Sequence, residues 1–157
     1  MLTQIYTYFT IETIYLWLNF GVLPLWIALI IFPNSKISQI FITSIFIPFV
    51  FAATYAYVAY NFIFQKNSFI EVFDLYLGIE DLYSLFLNEN FLLIFWIHFL
   101  ALNLFLGCWT ATDSIKYNIS KILTGICLIF IYFTGPLGFI VYWFIRIFYS
   151  KKIKLYD

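Results

Sequence analysis

Apolar residues fill four stretches of the chain, each near the roughly 20 residues that a helix needs to cross a bilayer. The stretches cover residues 11–32, 37–64, 91–110 and 119–148. The first ends at Pro33 and Asn34, a pair that is typical of a turn. This pattern predicts an all-α integral membrane protein with four transmembrane helices, in a single membrane domain over residues 1–157.

The connection between the second and third stretches is polar. Residues 65–90 contain five of the eight acidic residues. Apolar side chains recur there at helical spacing against the charges, at Val72, Leu75, Leu82, Leu85 and Phe86. Since this pattern is typical of an amphipathic helix at a membrane surface, we predict a short interfacial helix between the second and third spans.

The composition agrees with a membrane location. Of the 157 residues, 64% are hydrophobic and 10% are charged, and the mean hydropathy is +0.96. A soluble domain has about 25% charged residues, so a water-soluble core does not account for this much apolar surface. Membrane lipid is therefore an expected partner, whereas a net charge of zero argues against nucleic acid. The oligomeric state is left open.

The charges also predict an orientation. Four basic residues follow or end the last span, which the positive-inside rule places in the cytoplasm or stroma: Arg146, Lys151, Lys152 and Lys154. With four crossings the N-terminus joins them, in a bacterial inner membrane or a plastid membrane. No Lys or Arg precedes the first span, so we expect this span to be retained rather than cleaved as a signal peptide.

The third span carries the main candidates for chemistry: His98, the only histidine, with Asn103 and Asp113. Polar groups at membrane depth are costly and are often functional. On a helix, His98, Leu102, Phe105 and Trp109 share a face, and Asn103 lies about 140° from His98. Asp113 is about 22 Å from His98 along the axis, so the two could address two parts of one long ligand but not one metal ion.

Proline interrupts three of the four spans. Pro24, Pro48 and Pro136 each remove the N–H that would bond to the carbonyl four residues earlier, at Phe20, Ser44 and Tyr132. Glycines lie next to two of these positions, at Gly21, Gly135 and Gly138. Either the prolines are tolerated as in many membrane helices, or three bent helices open a cavity against a straight third helix.

The chain offers few metal ligands, since a metal site needs three or four from His, Cys and carboxylates. We therefore predict no metal site, and the sequence specifies no cofactor. Cys108 and Cys127 form no CxxC pair and are interpreted as small apolar residues. His98 then acts either as a lone acid or base, since imidazole exchanges protons near neutrality, or as a hydrogen-bonding tie between helices.

Several short motifs resemble the neoxanthin synthase family, the abscisic acid-deficient membrane proteins of plants and their bacterial relatives. They are Leu23-Pro24-x-Trp26, Pro33, Tyr55-x-Tyr57-x-x-Tyr60, Leu85-Phe86, Trp96-Ile97-His98, Leu104-Phe105, Asp113 and Gly135-Pro136-x-Gly138. The resemblance extends over residues 13–148. The family often has Asp where this chain has Asn103, and an Arg-His pair of the plant proteins before the last span is missing here.

The resemblance implies a membrane protein whose ligand is a carotenoid or another long apolar molecule. The family reaction converts the epoxide end group of violaxanthin into the allene of neoxanthin, which needs one acid and one base. His98, Asp113 and Asn103 are the implied catalytic residues. The implied ligand-binding residues are Trp26, Tyr57, Trp96, Phe105, Trp109 and Pro136.

Three functions stay open at this point: a carotenoid isomerase of the neoxanthin synthase type, a carotene cleavage oxygenase that produces retinal, and a non-catalytic carotenoid-binding or accessory membrane protein.

Overall fold

The computed structural model describes residues 9–33, 35, 36, 38, 40, 46–65, 73 and 76–154. Over these ranges the regular structure is helical, as predicted. The α-helices are α1 (Ile11–Ile31), α2 (Phe46–Gln65), α3 (Ile79–Phe86), α4 (Glu89–Lys116), α5 (Lys121–Thr134) and α6 (Pro136–Ser150). Two of them, α1 and α4, are long and apolar enough to cross a membrane. Four crossings stay a prediction.

The first three apolar stretches correspond to α1, α2 and α4. The helix α1 ends within one residue of its predicted end and continues through Pro24. The helix α4 extends six residues beyond the predicted end, to Lys116. The first part of the predicted second span, residues 37–45, lies mostly outside the described residues.

The predicted short helix between the second and third spans is present as α3, although Val72 and Leu75 lie outside the described residues. Glu80 and Asp81 occupy its exposed first turn, and Leu85 is buried on its other face. This division of polar and apolar faces is what the sequence pattern predicted.

The chain divides into two compact units, and both α1 and α4 contribute to each of them. One unit comprises Met1–Val22 and Phe49–Leu100, and the other comprises Leu23–Pro48 and Ala101–Asp157. In the first unit α1 runs parallel to α4, since Glu12 and Glu89 from their first turns line one groove. The helix α2 runs antiparallel to α4, as the ring contacts Phe62–Phe91 and Tyr55–His98 indicate.

In the second unit the stretch predicted as one span over residues 119–148 is instead two helices that pack against each other. Gly135 joins them with φ +53° and ψ −90°, a conformation that reverses the chain and that favours glycine. Cys127 of α5 and Tyr142 of α6 belong to one buried cluster, so the two helices form an antiparallel hairpin. The break that Pro136 and its neighbouring glycines predicted is therefore a reversal of the chain rather than a bend.

The glycine at position 138 lets the two arms of this hairpin touch. A Cβ atom there would collide with the backbone nitrogen of Ile131 and would lie 2.6 Å from the carbonyl carbon of Phe130. Gly107 of α4 has a similar role toward α1. A Cβ at that position would lie 2.7 Å from Cη2 of Trp26 and 3.3 Å from Cδ2 of Leu29.

Candidate functional site

His98 lies on an exposed face of α4 in the first unit. Its ring centroid is 6.3 Å from that of Tyr55 on α2, and the two rings are tilted by 50°. Phe95, one turn earlier, is 46% exposed. No hydrogen bond to the imidazole is found within the described part of the chain. The imidazole is therefore accessible from outside, with one phenol close to it.

Trp96 faces the opposite way. Two residues on a helix differ by about 200°, so Trp96 and His98 lie on nearly opposite faces of α4. The indole Nε1–H donates to Oδ1 of Asn19 at 3.2 Å, and the ring packs against Tyr15 at 6.0 Å between centroids. Trp96 thus ties α4 to α1, and its hydrogen bond gives it a structural role.

Trp96 also borders an open groove of about 550 Å³ in the first unit. The lining is apolar apart from two carboxylates at one end, and consists of Ile11, Glu12, Tyr15, Leu16, Glu89, Leu92, Leu93 and Trp96. Since this lining uses the face of α4 that points away from His98, the groove and the imidazole are separate features. Tyr57, another predicted ligand residue, is 41% exposed and contacts Phe9 edge-on at 6.1 Å.

Asn103 lies in the second unit and is buried, with 4% exposure. Its Nδ2 donates to the carbonyl oxygen of Tyr132 at 3.4 Å. This is one of the last four carbonyls of α5, which have no helical partner because the helix ends at Thr134. The Asn103 Oδ1 lies against Gly135, where a Cβ atom would collide with it. The amide therefore closes the turn of the hairpin, which is a structural task.

Asp113 belongs to a buried ion pair. Its Oδ2 accepts a hydrogen bond from Nε of Arg146 at 2.7 Å and another from the hydroxyl of Tyr142 at 2.7 Å. Arg146 is completely buried, and its Nη1 and Nη2 donate to the Lys154 carbonyl at 3.0 Å and to the Tyr117 hydroxyl at 3.3 Å. One oxygen of a buried carboxylate thus contacts both a cation and a phenol.

Aromatic rings enclose the guanidinium of Arg146. Its Cζ lies 4.8 Å from the ring centroid of Tyr117, 5.1 Å from that of Trp143 and 6.0 Å from that of Trp109. Such contacts stabilise a cation that has left water. Trp109, predicted to bind ligand, also meets Tyr142 edge-on at 5.8 Å. It is therefore part of the packing around the ion pair.

The remaining predicted ligand residues of the second unit are dispersed. Trp26 is buried, meets Tyr132 edge-on at 5.4 Å and borders an apolar cavity of about 210 Å³. Phe105 is 62% exposed, and Pro136 is exposed at the first position of α6. The structure therefore brings Trp26 near the hairpin, whereas Phe105 has no ring contact among the described residues.

No group of three or more His, Cys, Asp or Glu side chains placed to hold a metal ion occurs among the residues that the structure describes. Cys127 is buried in the hairpin cluster.

Sequence reasoning missed the partners of its own candidates. Arg146 was counted only as an orientation signal, although a charge within an apolar stretch requires a buried partner and Asp113 was available. In the sequence, Tyr55 stands out only as one of three tyrosines in a short motif. Because α2 runs antiparallel to α4, the phenol of Tyr55 lies beside His98.

Comparison with protein families gives one finding that covers most of the chain. The family model described as ABA DEFICIENT 4-like matches residues 13–142. Comparisons with curated proteins and with solved structures found no match.

Proposed function

Because the chain belongs to the ABA DEFICIENT 4-like family, we propose that it modifies a carotenoid within a membrane, as an isomerase of the neoxanthin synthase type that uses His98 and Tyr55. The observation that carries this proposal is the exposed imidazole on α4, a helix long and apolar enough to cross a membrane. An imidazole facing hydrocarbon is costly unless a ligand engages it. A lipid-soluble substrate would reach it without crossing water.

The proposed reaction needs two proton-transferring groups. One proton goes to the epoxide oxygen as a carbon–oxygen bond opens, and one proton leaves a carbon next to the ring, so that the product is an isomer of the substrate. A neutral imidazole is a suitable base, and a phenol is a suitable acid. His98 and Tyr55, with ring centroids 6.3 Å apart, supply one of each on neighbouring helices of the first unit.

In this proposal Asp113 and Asn103, the other two candidate residues of the third span, have structural roles. Asp113 is engaged by Arg146 and Tyr142, and Asn103 is engaged by the Tyr132 carbonyl. Removing either partner from such a buried contact carries a free-energy cost. They therefore hold the scaffold, and the reaction is assigned to the exposed pair.

A long substrate fits the surroundings of His98. Phe95 precedes it on the same face of α4, and Leu102 and Phe105 follow it; all three are exposed apolar side chains. A polyene packs against such a stripe through apolar contacts. We propose that its end group lies at His98 while its chain follows α4.

The experiment is expression in a host that accumulates violaxanthin, followed by chromatography of the extracted pigments. We expect an allenic product with the native chain. His98→Gln keeps a hydrogen-bonding amide but cannot transfer a proton, so the yield per protein should fall on the order of 10² or more. Tyr55→Phe should also reduce the yield. Tyr60→Phe removes the same hydroxyl from another exposed tyrosine of α2 and is the matched control.

The alternatives are tested by the same pigment analysis, with a carotene-producing host as a second host. If retinal forms in a carotene-producing host, the protein is a carotene cleavage enzyme rather than an isomerase. Bound pigment without any new product would indicate a carotenoid holder. Wild-type yield from the well-expressed His98→Gln variant would refute the assignment of the imidazole.

A further inference from the structure

We infer that the α5–α6 hairpin enters and leaves the membrane on the same side, so that the chain crosses the membrane three times, with α1, α2 and α4. Residues 119–148 then do not cross. The N-terminal end of α1 and the C-terminal end of α6 lie on opposite sides, in contrast to the orientation that four crossings predicted.

The first argument is the length of the two arms. With 14 and 15 residues, α5 and α6 are about 21 and 22 Å long. The hydrocarbon core is about 30 Å thick. Neither arm reaches across it, whereas α4 with 28 residues does.

The second argument is the depth of the turn between the arms. The turn at Gly135 contacts Asn103, and Asn103 lies at the middle of α4, which runs from Glu89 to Lys116. If α4 crosses the membrane, the turn lies near the centre of the bilayer. An unpaired carbonyl there would be costly. The bond from Asn103 Nδ2 to the Tyr132 carbonyl satisfies one of the carbonyls that the end of α5 leaves without a helical partner.

The third argument is the position of the open end of the hairpin. The amide of Ile119 donates to the Ser114 carbonyl at 2.9 Å, so α5 begins beside the C-terminal end of α4. Arg146 returns to the same place, bonding to Asp113 and to the carbonyl of Lys154. The start of α5 and the end of α6 are therefore at the same end of α4.

The fourth argument is charge. The helix α1 runs parallel to α4, because Trp26 and Leu29 pack at Gly107 while Pro33 and Ser114 line one cavity further along. With the hairpin on one side, that side has seven of the eight basic residues: Lys36, Lys116, Lys121, Arg146, Lys151, Lys152 and Lys154. Glu12 and Glu89, from the first turns of α1 and α4, are on the other side.

This distribution follows the positive-inside rule far better than the distribution for four crossings, in which five basic residues oppose three. The side with seven basic residues is cytoplasmic or its equivalent. The start of α1 and the amphipathic helix α3 face the other compartment.

Single cysteines and a membrane-impermeant maleimide test the inference on the full chain in sealed bacterial cells. The native Cys108 and Cys127 are first replaced by Ala. Thr10→Cys precedes α1, Lys121→Cys begins α5, and Lys154→Cys follows α6; all three positions are exposed. We expect labelling of Thr10→Cys in intact cells, and labelling of Lys121→Cys and Lys154→Cys only after permeabilisation.

A cysteine at the turn tests the depth. Leu137 is 61% exposed and adjoins the turn, so Leu137→Cys should react only after solubilisation in detergent. Labelling of Lys121→Cys and Lys154→Cys from opposite sides, or of Thr10→Cys and Lys154→Cys from the same side, would overturn the inference. Labelling of Leu137→Cys in intact cells would overturn the half-depth position.

If the cysteine-free chain does not accumulate, reporters fused to the native sequence decide the question. A fluorescent protein at the C-terminus should be bright and an alkaline phosphatase there should be inactive. A protease-cleavable tag at the N-terminus should be removed from outside. A retained tag or an active phosphatase would contradict the inference, whatever reaction the protein catalyses.

Discussion

Asn103 donates its side-chain amide to the carbonyl oxygen of Tyr132, one of the carbonyls that the end of α5 leaves without a helical partner. One buried amide on α4 thus satisfies a backbone carbonyl at the junction of α5 and α6. The same contact explains a polar residue in the middle of an apolar helix without assigning it to catalysis.

Replacing this amide should destabilise the hairpin. Asn103→Ala leaves the Tyr132 carbonyl buried and unsatisfied, which costs about 1–3 kcal/mol. Asn103→Asp should cost at least as much, because a carboxylate cannot donate and adds a charge near the carbonyl. Thermal unfolding in detergent measures both. Thr112→Ala, at an exposed position of α4, should change stability by less than about 0.5 kcal/mol. Wild-type stability of Asn103→Asp would contradict the structural assignment.

The glycine of the hairpin contact offers a second test. Gly138→Ala places a methyl group against the backbone of Ile131, which cannot move as a side-chain tip could. We expect a loss of about 1–3 kcal/mol, as for other forced overpacking. Gly21→Ala is the control, since nothing lies within 4 Å of its added Cβ, and it should be neutral or stabilising. Circular dichroism on heating separates the two variants; equal melting temperatures would argue against the contact.

Removing both charges of the ion pair in the second unit should reduce the stability of the protein less than removing one of them. Asp113→Asn leaves the buried Arg146 without a counter-charge, and breaking such a pair costs about 3–5 kcal/mol. Joint replacement by Asp113→Leu and Arg146→Met removes the desolvated charges together. It should recover part of the loss. A double-mutant cycle on unfolding free energies measures the coupling, and strictly additive losses would disprove a direct pair.

The contact between α1 and α4 at Gly107 predicts a rescue. Gly107→Ala brings a methyl carbon within 2.7 Å of the Trp26 ring, so the yield of folded protein should fall. Trp26→Phe shortens the ring, and the double variant should be more stable than Gly107→Ala alone. Detergent stability of all three variants checks this. Failure of the rescue would mean that the ring does not limit the approach.

Hydropathy located α1 and α4 because each is a long apolar run. The run of α1 also ends at a clear turn signal. It ended α4 too early, since Asp113 and Ser114 are polar in the sequence but are both buried by neighbours. Which side chains bury them is a property of the packed second unit. Arg146 was the available clue, because an isolated charge in an apolar stretch needs a partner.

The reversal at Gly135 was harder to predict. Gly and Pro occur in many membrane helices that merely bend, so Gly135-Pro136 alone does not distinguish a kink from a turn. The surplus length of residues 119–148 was compatible with a tilted span. The positive φ at Gly135 and the backbone contact at Gly138 decide the matter in the structure.

The pairing of Asp113 with Arg146 also makes these two side chains, taken together, insensitive to transmembrane voltage. An unpaired arginine changes its energy by about 2.3 kcal/mol for each 100 mV that it traverses. The pair has no net charge, so a membrane potential exerts no net force on it. In the membrane position inferred above, energised and de-energised membranes should therefore hold this pair alike.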